Sequence, residues 1–326
     1  MQEFELINQY FKSTTAQRDD VLLGIGDDCA ILSPPPGKQL AVSTDTLISG
    51  VHFPINTSAQ DIGYKSLAVN LSDLAAMGAQ PAWASLAISL PDADESWVNG
   101  FMQGFNQLAA KYNIALIGGD TTRGSLSITV SVTGFVDAAK SLKRSNAKAG
   151  DVIFVTGCLG DARLGLESIL GNVSIANQDT KRYFLACLNR PEPKISIGQL
   201  LTNYCVAAID LSDGLLADLN HICVASSTGA SIHLDKIPLS RQLLNVCNNE
   251  PDWAMICNAG DDYELCFTCP AENVSALVSD LNKYDIEVFP IGEIDNSYDV
   301  TCYLNNAEYL QTGSGYNHFS NDKNSD

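Results

Sequence analysis

Basic residues are what this 326-residue sequence has least of: 19 Lys and Arg stand against 38 Asp and Glu, a formal net charge of −19. A protein that binds nucleic acid by neutralising phosphates needs the opposite balance. An anionic membrane surface would also repel such a chain. Any anionic ligand must be drawn in by something other than net charge, and a metal cation is the natural mediator. Long apolar runs are missing too. No stretch of about 18 residues is free of polar interruption, so no transmembrane helix is expected. Residues 1–11 carry Glu3 and Glu5 and no basic region, which argues against a secretory signal. Phe4, Ile7, Tyr10 and Phe11 instead recur at helical spacing and predict a short amphipathic helix.

Familiar nucleotide motifs are equally absent. Gly37-Lys38 is followed by Gln39, so there is no P-loop, and Gly24-Ile-Gly26 runs straight into Asp27, so there is no G-x-G-x-x-G. The protein-kinase catalytic loop and the EF-hand loop are missing as well. A nucleotide enzyme with this sequence is neither a P-loop protein nor a Rossmann dehydrogenase. The 10 cysteines are scattered, and the one C-x-x-C, Cys266 and Cys269, lies in an apolar strand-like run. No second such pair and no His pair at zinc-finger spacing accompanies it. Buried, reduced thiols in a reducing, cytoplasmic setting are expected.

Hydrophobic residues make up 45% of the chain, enough for real cores, and the length suggests about two domains. Strand-like and helix-like segments alternate: strands at 39–46, 82–90, 114–117 and 126–136, and helices at 59–77 and 94–112. Hairpin character is expected near Gly124. The small, polar stretch Ser145 to Asp151 marks a boundary near 148, before the strong strand 152–156. The second half repeats the mixture, with helices at 161–171, across 178–204, at 214–226 and 272–283, and strands at 206–210, 230–234, 263–269 and 286–291. The expected class is α/β (α+β) in two domains, residues 1–148 and 149–319, followed by a frayed tail, 320–326.

Acidic residues cluster where apolar segments meet glycines and hydroxyls. The clusters are Gly24-Ile-Gly-Asp-Asp28, Ser43-Thr-Asp-Thr46 at a predicted strand end, Gly118-Gly-Asp-Thr-Thr122 after another strand, and Asp210-Leu-Ser-Asp-Gly214 opening a helix. Asp73 adds a fifth position on a helix face. Each alone reads as an ordinary cap or turn. Five together carry a repulsion that cations must neutralise. Carboxylates with Ser and Thr hydroxyls suit Mg²⁺, and Mg²⁺ held by few carboxylates usually serves phosphates.

These segments carry a resemblance. Gly24-Ile-Gly-Asp-Asp-Cys-Ala30, Ser43-Thr-Asp-Thr46 with His52 shortly after, Asn70-Leu-Ser-Asp-Leu-Ala-Ala-Met-Gly78, Gly118-Gly-Asp-Thr-Thr-Arg-Gly124, Asp210-Leu-Ser-Asp-Gly214 and Asp262-Tyr-Glu-Leu265 occur in this order. Together with Gly315-Tyr-Asn-His-Phe319 they resemble the thiamine-monophosphate kinases, within the aminoimidazole-ribonucleotide-synthetase-like ATP-binding superfamily. Single pieces are shared across the superfamily, and the set is specific to the kinases. The resemblance implies an N-terminal ATP- and magnesium-binding domain whose sheet mediates homodimerisation, and a C-terminal α/β domain completing the active site. It implies that ATP and thiamine phosphate give thiamine diphosphate and ADP. Asp28, Ser43, Thr44, Asp45, Asp73, Asp120, Asp210 and Asp213 match magnesium positions. Gly119, Arg144 and Ser212 match ATP contacts, and His52, Asp261 and Tyr316 match the thiamine phosphate side. Two departures stand out: the family's Gly-Gly-Glu-Asp-Tyr reads Ala259-Gly-Asp-Asp-Tyr263, and Asn317 replaces an Asp.

Phosphoryl transfer needs in-line positioning and charge neutralisation. A phosphomonoester with a second pKa of ~6 is already an ionised nucleophile near neutrality, so no general base is assigned. Two other readings remain open at this stage: another ATP-using synthetase of the superfamily, and a non-catalytic divalent-cation-binding protein.

Overall fold

A computed structural model describes residues 7–12, 16–138 and 140–310. Tyr316, Asn317 and the tail lie outside the described residues, as does most of the predicted first helix, of which Ile7–Lys12 forms a π-helix. The chain divides into two compact units. One runs to Ser141 and takes in Asn189–Asn203; the other comprises Leu142–Leu188 and continues from Tyr204.

In chain order the first unit holds β1 (Val21–Leu23), β2 (Ile31–Leu32), β3 (Lys38–Ile48), α1 (Ala59–Ala76), β4 (Gln80–Leu90), α2 (Glu95–Lys111), β5 (Ala115–Arg123) and β6 (Ser127–Asp137). The chain continues through β7 (Val152–Val155), α3 (Asp161–Leu170), α4 (Gln178–Asn189), α5 (Ile195–Leu201), β8 (Ala207–Asp210), α6 (Leu215–Ser226) and β9 (Gly229–His233). It ends with α7 (Arg241–Val246), α8 (Trp253–Asn258), β10 (Leu265–Cys269), α9 (Val274–Leu281), β11 (Phe289–Asp295), β12 (Val300–Leu304) and β13 (Ala307–Glu308).

The four-stranded sheet of the first unit has the order β3-β6-β4-β5. β6 lies antiparallel to both β3 and β4, while β5 runs parallel to β4. The hairpin expected near Gly124 therefore does not form. A parallel β4–β5 pair needs a crossover, which α2 supplies, and β6 is then inserted between β3 and β4 rather than beside β5. Its alternating Ile128, Val130 and Val132 are fully buried. Helix α1 begins at Ser58, whose hydroxyl accepts the Asp61 N–H at 3.1 Å, and stops at Met77 before Gly78. It is buried almost all round, as suits a helix with neighbours on several sides. It packs on β3 and β6 and against α2 and α5.

The second unit has a seven-stranded sheet of order β13-β12-β9-β11-β7-β10-β8, antiparallel except for the β9–β12 pair. β10 lies between β7 and β8 and is buried along its whole length, Cys266 and Cys269 included. None of the ten cysteines forms a disulfide; five are buried, but four are only half-buried and Cys29 is exposed, so burial does not extend to all of them as expected. β11 begins three residues later than its predicted strand, because a left-handed turn at Asp285 precedes it. β12 and β13 carry no strong periodicity, and the sequence reading did not anticipate them.

Candidate active site

In the first unit, Ser43 and Asp45 lie two apart along β3 and share one face of the sheet, while Thr44 between them faces the other. Ser43 Oγ donates to Asp73 Oδ2, and the Asp45 N–H donates to Asn70 Oδ1 at 3.1 Å. Asn70 and Asp73 are three apart on α1, which puts both on one helix face. Thr44 Oγ1 instead meets Ser131 Oγ of β6 at 2.7 Å. Asp45 was expected at a strand end. It lies inside β3, because β6 pairs with β3 all the way to Ile48. Asp120 likewise lies inside β5, because β4 pairs with it as far as Arg123.

The carboxyls of Asp45 and Asp73 are in hydrogen-bonding contact. Burial first, then the charge and hydrogen bond of Asp73, push Asp45 up to about 6. Two facing carboxyls beside a hydroxyl form an oxygen-only donor set that is relieved by a proton or by a hard divalent cation.

Asp27, Asp28, Gly118, Gly119 and Asp120 line a cavity of about 510 Å³, with Lys12 as its basic side chain. Gly119 is required by the approach of β4. A Cβ there would sit 1.8 Å from the Leu86 carbonyl oxygen. His52 follows β3, and its Nδ1 accepts the Ile48 N–H at 3.0 Å, which leaves Nε2 as the protonated nitrogen of the neutral ring. Buried Lys65 reaches the His52 carbonyl at 3.4 Å.

In the second unit, β8 ends at the buried Asp210, and the next four residues lead into α6. Asp218, in the first turn of α6, accepts the N–H groups of Ser212, Asp213 and Gly214, each at 3.1 Å. Burial outweighs these donors and pushes Asp218 up to about 7. Asp261 donates its N–H to the Ser212 carbonyl at 3.0 Å. Asp262 is half-buried; both its oxygens accept the Gly160 N–H at 3.0 Å, and the loss of solvent around it raises its carboxyl well above the usual range. Arg144 is exposed, and its carbonyl accepts from Ser226 Oγ at 3.0 Å.

The structure thus gathers Ser43, Asp45 and Asp73 in one group, Asp28, Gly119 and Asp120 around one cavity, and Asp210, Ser212, Asp213 and Asp261 around one loop. Among the described residues, no three His, Cys, Asp or Glu side chains form a ready-made metal cluster. The sequence reading missed Asn70, Asp218 and Lys12. Asp218 had a signal, an acidic residue in the first turn of a helix that follows Ser-Asp-Gly.

The AIR synthase related protein N-terminal domain model matches residues 26–136, and the C-terminal domain model matches 148–305. Thiamine-monophosphate kinase of Escherichia coli K12 is 44% identical over 319 residues, covering 98% of both chains. The chain belongs to the thiamine-monophosphate kinase family. The Bacillus subtilis member is 35% identical over 98% of this chain and 100% of its own. The solved structure of the family member from Stenotrophomonas maltophilia K279a superposes with a TM-score of 0.86 at 44% identity, covering 95% of this chain and 98% of that one. AaThiL, solved in complex with AMPPCP and TMP, superposes with a TM-score of 0.76 at 29% identity, covering 96% of each chain. Escherichia coli HypE, at 19% identity and a TM-score of 0.76, shares the fold.

Proposed function

We propose that this kinase-family chain transfers the γ-phosphoryl group of ATP to thiamine phosphate, giving thiamine diphosphate and ADP. The observation that carries the reading is 44% identity with a curated thiamine-monophosphate kinase over 98% of both chains. A relative solved with AMPPCP, a triphosphate analogue of ATP, together with TMP supports the pairing of substrates. The residues assigned to ATP are Gly119, Arg144 and Ser212. Those assigned to thiamine phosphate are His52, Asp261 and Tyr316.

Magnesium fits the residues present, because Asp45 and Asp73 press two carboxyls together beside the Ser43 hydroxyl. Asp28, Ser43, Thr44, Asp45, Asp73, Asp120, Asp210 and Asp213 are the proposed ligands, Thr44 through its backbone, since its side chain faces Ser131. When bound, magnesium neutralises phosphate charge and stabilises the transferring phosphoryl group. The chain's own task is placement: β3 and α1 fix the first carboxylates, and the Asp210–Gly214 loop fixes the second set. His52, with Nε2 protonated, is equipped to donate to a phosphate oxygen. No side chain is assigned as general base, since the attacking phosphate is already ionised.

The proposed partner is a second copy of the chain. β3 is an edge strand of its sheet and exposes Leu40, Val42 and Ile48, an apolar edge that a monomer has reason to cover. Ten cysteines without a disulfide support a reducing, cytoplasmic setting, and among the described residues no helix is long and apolar enough to cross a membrane.

Incubation with Mg-ATP and thiamine phosphate, with thiamine diphosphate followed by chromatography, tests the reading. ATP hydrolysis without thiamine diphosphate would overturn it.

A further inference from the structure

The loop that leads from β8 into α6 is held on both sides. On one side, Oδ2 of Asp218 collects three successive N–H groups, those of Ser212, Asp213 and Gly214, each at 3.1 Å. Three amides converging on one point form a nest of the kind that binds anions. Here the chain fills that nest itself, with a carboxyl only 2% exposed. On the other side, the Leu211 N–H donates to the Glu264 carbonyl at 2.8 Å, and the Leu211 and Ser212 carbonyls accept from Tyr263 at 2.8 Å and Asp261 at 3.0 Å. The Asp218 N–H closes the helix turn on the Gly214 carbonyl at 3.0 Å. Gly214 itself has φ +116°, and a Cβ there would lie 2.8 Å from the Asn258 carbonyl carbon.

The backbone of 211–214 is therefore almost fully committed, while the Ser212 and Asp213 side chains stay half-buried at its rim. Asp261 and Tyr263 hold positive φ angles, 72° and 49°. Non-glycine residues keep such conformations only where their surroundings impose them. The bonds to Ser212 and Leu211 are part of what imposes them here. An ordinary acidic residue near a helix start serves its own helix's dipole and amides. Asp218 does something different, because two of its three donors, Ser212 and Asp213, precede the helix and its cap.

We propose that Asp218 is a positioning residue that fixes the Asp210–Gly214 loop and, through the Ser212–Asp261 bond, sets the metal and nucleotide residues together with Asp261 on the thiamine phosphate side. This rests on the kinase reading, which assigns those residues.

The first test is amide hydrogen exchange on the ligand-free wild-type protein. The Ser212, Asp213 and Gly214 amides should exchange as slowly as those of β8, although they lie in a loop. Exchange at exposed-loop rates overturns the proposal. The second test compares Asp218→Ala with Asp218→Asn, which keeps an oxygen acceptor at the same reach. In Asp218→Ala, Mg²⁺ binding in the presence of AMPPCP, read by calorimetry, should weaken about tenfold, and KM for thiamine phosphate should rise by a similar factor. Asp218→Asn should restore both to within about threefold of wild type. If Asp218→Ala does not fold, Asp218→Ser takes its place in both measurements. A lower Tm with unchanged magnesium binding and KM would reduce Asp218 to a helix cap and overturn the proposal, as would an Asn variant no better than Ala. A wild-type enzyme that makes no thiamine diphosphate would instead sink the kinase reading, leaving exchange and metal binding to judge the loop.

Discussion

The acidic residues of the two units are held in opposite ways. On β3 and α1, the Asp45 carboxyl faces that of Asp73, which also accepts the Ser43 hydroxyl, while the Asp45 backbone N–H donates to Asn70. In the loop before α6, Asp218 faces three backbone amides and every N–H from Leu211 to Gly214 has a partner. Burial pushes both carboxyls upward, Asp45 to about 6 and Asp218 to about 7. The first arrangement carries a repulsion between two carboxyls that raises Asp45. The second is complete without any ligand. On the proposed function, the first is a place where a cation would do the stabilising, and the second a support that would present its side chains ready-set.

Metal removal gives the widest separation between the two. After exhaustive EDTA treatment, thiamine diphosphate formation should be lost, and added Mg²⁺ should restore it. Full turnover in metal-free buffer would break the contrast at its root. Asp45→Asn and Asp120→Asn come next. Each keeps the side chain's size and removes charge, and loss of a group that stabilises transition-state charge costs ~10²–10³ in kcat. Thermal stability of the ligand-free protein should hardly change, and in Asp45→Asn it should rise slightly as the repulsion from Asp73 is relieved. Near-normal turnover with a large fall in Tm would instead make these aspartates structural. A smaller effect separates two neighbouring glycines. Gly119→Ala drives a Cβ into the Leu86 carbonyl, whereas at Gly118 a Cβ meets nothing within 4 Å. Overpacking of this sort costs about 1–3 kcal/mol, so Gly119→Ala should melt several degrees below Gly118→Ala. Equal melting temperatures would show that β4 and β5 yield easily at this point.

Much of this was legible in the sequence, for reasons that differ by element. Helix α1 announced itself through the Gly78 that ends it, and β6 through its alternating Ile128, Val130 and Val132. These are local signals, and local physics decides them. The order of the strands is not local. Ser127–Asp137 reads the same whether it pairs with β5 as a hairpin or enters between β3 and β4. The expectation that Asp45 and Asp120 stand at strand ends failed for the same reason, because a strand ends where its partner ends, and the partner is remote in sequence. The return of Asn189–Asn203 to the first unit left no shift in composition to read. The candidate site was legible as a set of acidic motifs. The grouping of Ser43 with Asp73 depended on tertiary placement, whereas Asp218's hold on three amides spans only four to six residues and had its local signal.

The comparison can be sharpened within the first unit at Asp20, a carboxylate with its cation built in. Arg18 donates Nε–H to Asp20 Oδ1 at 2.9 Å and pairs with Oδ2 at 2.6 Å, and Trp83 Nε1 donates to Oδ1 at 3.0 Å. The Arg18 hydrogen bond is the largest influence and, with Trp83, holds Asp20 below the usual carboxylate range against the opposing pull of burial. Burial first, and then the negative charge of Asp73, raise Asp45, whereas Arg18 lowers Asp20, so the two shift in opposite directions. For Asp20 the folded pKa lies below the unfolded one, and linkage fixes the sign. Its contribution to stability is complete above the ordinary carboxylate value of about 4 and is lost as pH falls through the lowered folded value. Asp20→Asn keeps one oxygen acceptor and loses the charge, a change of about 1 kcal/mol for a hydrogen bond to a charged partner. Its Tm should lie slightly below wild type by a constant margin from neutral pH down to about 4, and the margin should close in more acidic buffer. A margin that widens on acidification would mean that Asp20 is stabilised in its protonated form. The difference drawn between a carboxylate with a built-in cation and one that waits for a metal would then fail.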